Sequence, residues 1–305
     1  MTIPEYEAPE LSHLHPSVRA AARLPANERV ELIRADRWWI GYSRAVEAVA
    51  RLESLLSWPD KQRMPNLLLI GPTNNGKSMI VEKFRRGHPP VAEPERELIP
   101  VLCVQMPSEP SVLRFYIALL AALGAPLQPR RRLADVEQIS LKLLRLTGVR
   151  MLVIDELHNV LAGQGNSRRE FLNLLRFLGN ELRIPIVGVG TREAYLAVRS
   201  DDQLENRFEP IVLPLWNTGA DTLSLLASFA AALPLQRPSD IATADMAQYL
   251  LARSEGTIGE LARLLTTASI AAVESGEERI NRRTLVMADY AGPTERRRLF
   301  ERELM

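Results

Sequence analysis

The sequence predicts an α/β fold, a parallel sheet flanked by helices, followed by an all-helical domain. Three observations predict it. Short apolar runs bounded by Pro or Gly alternate with helical stretches between residues 66 and 213. The first run empties into a Gly- and Asn-rich loop that opens a helix. After Pro214 the β pattern stops and only helical periodicity remains.

Residues 1–25 read as a flexible or weakly helical arm. Two helices should fill Ala26 to Leu56, where apolar residues recur near helical spacing until Pro59 and Pro65 close the region. Asn66–Ile70 is a buried parallel strand, all apolar after its first residue. A helix starts at Lys77 and stops near Gly87-His88-Pro89. Pro100–Gln105 is the next strand, followed by helices over Ser111–Leu123 and Leu133–Leu146. Arg150–Ile154 is a strand ending in Asp155-Glu156. Arg168–Leu182 carries apolar residues at 171, 174, 175 and 178, one face of a helix. Pro185–Val189 is a strand, Arg192–Val198 a helix and Pro210–Leu213 a short last strand. Beyond it, helices are expected over Ala220–Leu233, within Ser239–Leu251, from a Thr257/Glu260 capping box to Gly276, and from Asn281 to about Tyr290. The ending ERRRLFEREL reads as a charged helical stub.

The chemistry concentrates at two strand ends. Gly71-Pro72-Thr73-Asn74-Asn75-Gly76-Lys77-Ser78 matches the P-loop form G-x-x-x-x-G-K-[ST]. Glycines let successive backbone N–H groups turn toward phosphate oxygens, and the following helix brings its positive end to the same place. Lys77 would reach the terminal phosphates of ATP, and the Ser78 hydroxyl would ligate Mg²⁺. The strand Met151-Leu-Val-Ile delivers Asp155 at its C-terminal edge to share the Mg²⁺, with Glu156 as general base for water. Thr191, ending the strand Ile186–Gly190, reads equally as a water-orienting hydroxyl or as the N-cap of the next helix; the roles are compatible. Arg207, before the last strand, reads as an arginine finger for a neighbouring subunit, or as a surface ion pair.

Other residues carry blander readings. His158 starts a helix. His13, His15 and His88 lack ligand spacing, so no zinc is expected. Cys103 and the Trp38-Trp39 pair read as packing. Arg130-Arg131-Arg132 and Arg168-Arg169 are basic clusters; solvated charge is the usual meaning, and contact with DNA phosphates is the alternative.

Composition sets bounds. The 305 residues are 46% hydrophobic and 25% charged with a formal net charge of +1, so no overall field draws the chain to a polyanion. One cysteine excludes an intrachain disulfide. No basic start precedes an apolar run, and no long apolar span is present, so no membrane association and a cytoplasmic location are expected.

In motif order, P-loop, Asp-Glu, strand-Thr and Asn-Arg-Phe, the chain resembles the AAA+ ATPases. Asp36-Arg-Trp-Trp-Ile-Gly-Tyr42, Arg63-Met-Pro-Asn66, Thr-Asn-Asn inside the P-loop, Asp155-Glu-Leu-His-Asn159 and Gly188-Val-Gly-Thr-Arg-Glu-Ala194 narrow the resemblance to TniB, the transposition regulators related to TnsC. It implies an AAA+ P-loop core at 26–214, a helical lid domain at 215–291 and a charged tail at 292–305. It also implies a homo-oligomer, ring or helical filament, formed with ATP on double-stranded DNA. That assembly would recruit a DDE-type transposase, with a target-selector protein as a further partner, and hydrolysis would disassemble it. By position, the family's DNA-contacting loops fall on Met106–Arg114 and the Arg130 cluster. Many AAA+ lids carry a G-x-x-R arginine; here Gly256-Thr-Ile-Gly259 has Gly in that place, and Arg263 follows one helical turn on. An AAA+ switch acting on protein partners alone is the competing reading.

Overall fold

The computed structural model describes residues 10–35, 39–126, 132–163 and 165–304. They form two compact units. One is Arg44–Pro214; the other joins the described residues up to Ser43 to those from Leu215 onward.

The first unit is built on β1 (Asn66–Ile70), β2 (Val101–Gln105), β3 (Met151–Asp155), β4 (Ile186–Gly190) and β5 (Phe208–Val212). Their order across the sheet is β2-β3-β4-β1-β5, and every neighbouring pair is parallel. Helices therefore carry each crossover, and all strands end at one edge, the place where open α/β sheets bind ligands. Burial follows position. The central strands β1 and β4 are buried throughout, whereas β5, at the edge, is largely exposed. Each of Leu67, Leu68 and Leu69 is fully enclosed, a contribution of roughly 2 kcal/mol apiece. β5 starts at Phe208 rather than Pro210. An edge strand tolerates Pro210 because the missing N–H would face no partner. Gly188 is dictated by packing: a Cβ there would fall 2.5 Å from Leu157 and 2.7 Å from Leu68. An antiparallel ribbon of Val91–Ala92 with Glu97–Leu98 precedes β2; strands of two residues carry no readable pattern.

The second unit is helical. Helices Ala26–Arg34, Ala220–Ala232, Ala244–Ser254, Ile258–Glu274 and Arg282–Met287 surround one apolar cluster that includes Val30, Ile33, Leu226, Leu250, Leu261, Leu265 and Leu285. The helix Ala26–Arg34, expected with the nucleotide loop, thus packs in this unit. Val30 and Ile33 insert into the cluster, and buried Arg29 holds Glu278 by two bonds of 2.6 Å. The arm is also not free where it is described: Leu11, Leu14, Val18 and Ala22 form a buried cluster, and the His15 N–H donates to the Ala231 carbonyl at 2.9 Å. The expected Thr257/Glu260 capping box is absent. The Thr257 hydroxyl donates to Ser254, while the Glu260 carboxylate accepts from Arg296 at 2.7 Å and Tyr290 at 3.0 Å. A charged partner outcompetes a backbone N–H. Asn281 does cap Arg282–Met287, with Thr284 closing the box.

Candidate nucleotide site

The loop after β1 is held from both sides. The Gly71 N–H donates to the Gly190 carbonyl at the end of β4, 3.1 Å, and the Leu213 N–H donates to Ile70 at 2.7 Å. A Cβ on Gly71 would meet the Leu213 carbonyl oxygen at 2.8 Å, so only glycine lets β5 and the loop approach this closely. Asn74 and Gly76 take positive φ, 59° and 86°, which turns the loop back on itself before the helix Lys77–Gly87 begins. Asn75, expected among the nucleotide contacts, is buried, and its side-chain amide donates to the Leu213 and Pro214 carbonyls at 3.0 and 2.9 Å. It fastens the loop to the strand exit. Pro72, Thr73 and Asn74 form the outer face of the turn.

Lys77 is buried at the helix start, its Nζ donating to the Gly71 and Pro72 carbonyls at 2.8 and 2.7 Å. Burial pushes its ammonium below the ordinary value, against the pull of Glu156 and Asp155. A phosphate group would replace two neutral acceptors with anionic oxygens and restore the charge. The Ser78 hydroxyl donates to the Asp155 carboxylate at 3.1 Å. These two hard oxygens at a helix N-terminus are the donor set that Mg²⁺ takes, so the residues present fit a magnesium nucleotide.

At the end of β3, Glu156 occupies the left-handed region, φ 56°. Its N–H donates to the Asp155 carboxylate at 2.8 Å, which aims that carboxylate, and its own carboxylate lies 3.0 Å from His158 Nε2. His158 therefore does more than start a helix; it stands against the predicted base. Asn159 donates to the Met106 carbonyl at 3.3 Å, and the Met106 N–H to the Asp155 carbonyl at 2.8 Å, tying the β2 exit to the acidic turn. Cys103, within β2, is a core residue whose thiol burial pushes up to about 11. Thr191 ends β4, between the loop and Asp155 in sheet order. It makes no side-chain cap bond; its hydroxyl donates to the Glu193 carboxylate instead.

Arg207 sits at the opposite edge. Its carbonyl accepts the Asn66 N–H at 2.9 Å, at the start of β1, and its guanidinium donates to Asn180 at 2.9 Å. Five strand residues separate this edge from the loop, about 15 Å at the strand rise. Arg207 does not reach its own phosphate loop. The sequence also left unremarked the cleft around it, lined by Trp58, Lys61, Arg63, Asp202 and Asn206.

The expected DNA contacts scatter. Met106 is core, so the expected Met106–Arg114 loop is exposed only beyond it. Arg114 is exposed and 3.4 Å from Glu109. Arg132 and Arg169 are exposed and Arg168 half-buried, while Arg130 and Arg131, like Trp38, lie outside the described residues. In the helical unit, Arg263 packs its guanidinium over the Tyr290 ring, 6.0 Å from the centroid.

A family model described as "Bacterial TniB protein" matches residues 29–218. The chain belongs to the TniB family. Members of this family are transposition-associated P-loop ATPases, and the match spans the whole α/β unit. Curated protein sequences give no match. Solved structures share the AAA+ fold. The Aeropyrum pernix ORC1 protein in complex with DNA has a TM-score of 0.54 at 18% identity, covering 85% of this chain and 68% of that one. Aeropyrum pernix ORC2, with ADPNP and ADP, has 0.54 at 14%, covering 82% and 68%. Cdc6p from Pyrobaculum aerophilum has 0.54 at 15%, covering 80% and 66%. No helix among the described residues is long and apolar enough to cross a membrane.

Proposed function

We propose that this TniB-family ATPase binds ATP with Mg²⁺, assembles into a homo-oligomer on duplex DNA, recruits a DDE-type transposase and leaves the DNA after hydrolysis. The observation that carries the ATP reading is the junction of Ser78 with Asp155 beneath the Lys77 loop. Lys77 exchanges the Gly71 and Pro72 carbonyls for phosphate oxygens, and the loop's N–H groups surround the same charge. Ser78 and Asp155 hold the Mg²⁺, which neutralises phosphate charge when bound. Glu156 takes a proton from the attacking water, and Thr191 orients that water from the end of β4. Arg207, at the far edge, faces another copy and supplies its charge there. Family membership supports the transposition setting, and the DNA complex of the ORC1 neighbour supports duplex DNA as the platform by analogy of fold. The exposed Arg114, Arg132 and Arg169, with Arg168 and the Arg130-Arg131 pair, are the proposed phosphate contacts.

Electron microscopy with duplex DNA and a slowly hydrolysed ATP analogue tests this, beside Lys77→Ala. Coating of the duplex that needs both nucleotide and Lys77 is expected. Nucleotide-driven assembly indifferent to DNA would instead indicate a switch acting on proteins alone. Glu156→Gln should keep ATP, lose turnover and outlast the wild type on DNA.

A further inference from the structure

The edge of the sheet that carries Arg207 holds more positive charge than one finger requires. A polar cleft of about 590 Å³ opens there, and Lys61, Arg63 and Arg207 all line it. Among the described residues Asp202 is the only acidic one in its lining. Elsewhere in this unit several exposed arginines are ion-paired, Arg85 and Arg86 with Glu82, Arg96 with Glu93 and Arg145 with Glu181, while others, Arg132, Arg169 and Arg192 among them, have no ion pair among the described residues. Arg63 has no ion pair and no hydrogen bond among the described residues, and Lys61 rests only over the Trp58 ring at 5.3 Å. Burial lowers the Arg207 pKa, and the nearby charges of Arg63 and Arg176 lower it further against the pull of Asp201, which pairs with Arg176 at 3.5 Å. Like charges gathered in a partly buried cleft cost free energy unless an anion joins them.

Backbone pairing sets these cations in place. The Asn66 N–H bonds the Arg207 carbonyl at 2.9 Å, and Asn66 pairs with Phe208 across β1 and β5. Arg63 enters β1 through buried Met64 and half-buried Pro65, just as Arg207 enters β5. The two guanidiniums are therefore presented from adjacent parallel strands at one edge. The chain's own phosphate loop lies at the other edge, about 15 Å away along the strands and beyond the reach of either side chain. Whatever anion fills the cleft belongs to a second molecule.

We infer that Arg63 is a second trans-acting cation, which with Arg207 meets the triphosphate held by a neighbouring copy of this chain. The inference rests on the ATP-driven assembly proposed above. A head-to-tail interface brings the N-terminal edge of one sheet to the phosphate loop of the next, so each site is incomplete without its neighbour. Arg63 adds charge where the transferred phosphoryl oxygens carry it, beside the finger.

Subunit mixing tests this. Arg63→Ala should bind an ATP analogue as the wild type does when dilute and monomeric, yet lose turnover about 10- to 100-fold on assembly. Glu156→Gln is inactive in its own site but keeps an intact Arg63 for its neighbour. An equal mixture of the two should recover turnover, to about a quarter of the wild-type rate, because about a quarter of interfaces pair an intact base with an intact Arg63. Turnover by Arg63→Ala within two-fold of wild type would overturn the inference, as would a loss that mixing never restores. A loss of nucleotide-free DNA affinity with turnover intact would assign Arg63 to a DNA phosphate instead. If the wild type itself never assembles with nucleotide, the assembly reading falls first and this inference with it.

Discussion

Among the described residues three glutamates sit in the left-handed region of backbone space, and they differ in what their carboxylates do. In the helical unit, Glu278 grips Arg29 through two 2.6 Å bonds, and Glu255 accepts the Thr294 N–H at 2.7 Å. Each repays its backbone cost with a structural bond. In the α/β unit, Glu156 pays the same cost, but its carboxylate is 41% exposed and stands only beside His158. The contrast extends further. Buried Glu260 and Arg29 are held by ion pairs, whereas buried Lys77 leans on neutral carbonyls. Polar groups whose bonds are complete hold a fold; those whose bonds are provisional await a ligand.

Removing a provisional bond should leave the fold and take the function. Lys77→Ala is expected to have the largest effect: loss of nucleotide affinity by about 100-fold or more in calorimetry, with turnover abolished. The helix Lys77–Gly87 keeps its apolar contacts through Ile80 and Phe84, so circular dichroism should be unchanged. If Lys77→Ala unfolds the unit, Lys77 belongs with the structural ion pairs and the contrast fails. Arg207→Ala comes next. Turnover of the assembled protein should fall about 10³-fold while dilute monomers bind nucleotide normally. A matching loss of monomer affinity would place Arg207 at its own site, against the geometry.

How far the sequence carries depends on whether a residue's role is local. The P-loop, the strand before Asp155 and the register of most helices were readable because short runs encode them. The contacts of Asn75 and His158 were not, nor was the placing of Arg63 in the cleft beside Arg207. Asn75 bonds the exit of β5, more than a hundred residues away, and Arg63 is placed by the pairing of β1 with β5. His158 meets Glu156 at a residue that turns left-handed, a backbone feature no short run encodes. For the arm, read as flexible or weakly helical, the structure describes a short helix at Arg19–Ala22 and a buried cluster of Leu11, Leu14, Val18 and Ala22, contacts that the sequence pattern does not spell out because residues 11–18 form no regular element. The Thr257/Glu260 pair misled, since a local capping motif lost to Arg296 and Tyr290 from beyond the helix.

That lost cap yields the smallest effect, and one of the opposite kind: a change that takes stability and spares the nucleotide loop. The hydrogen bond from Arg296, against the opposing effect of burial and aided by Tyr290, holds the Glu260 carboxyl below its ordinary value of 4.5. A carboxylate with a depressed folded pKa stabilises the fold above its unfolded pKa. The contribution is lost as pH falls through the lower, folded value. Glu260→Gln should therefore destabilise the helical unit by about 2 kcal/mol at pH 7. The gap to wild type should narrow only below about pH 4.5, where the unfolded carboxyl binds its proton. Because the chain has two units, one global melting temperature would blur the effect. Hydrogen exchange across Ala244–Met287 resolves it: faster exchange there at pH 7, with Asn66–Gly87 unchanged, is the expected pattern. Equal acceleration in both segments would mean that the pair at Glu260 stabilises more than its own unit, and the division between closed and provisional bonds would have to be redrawn.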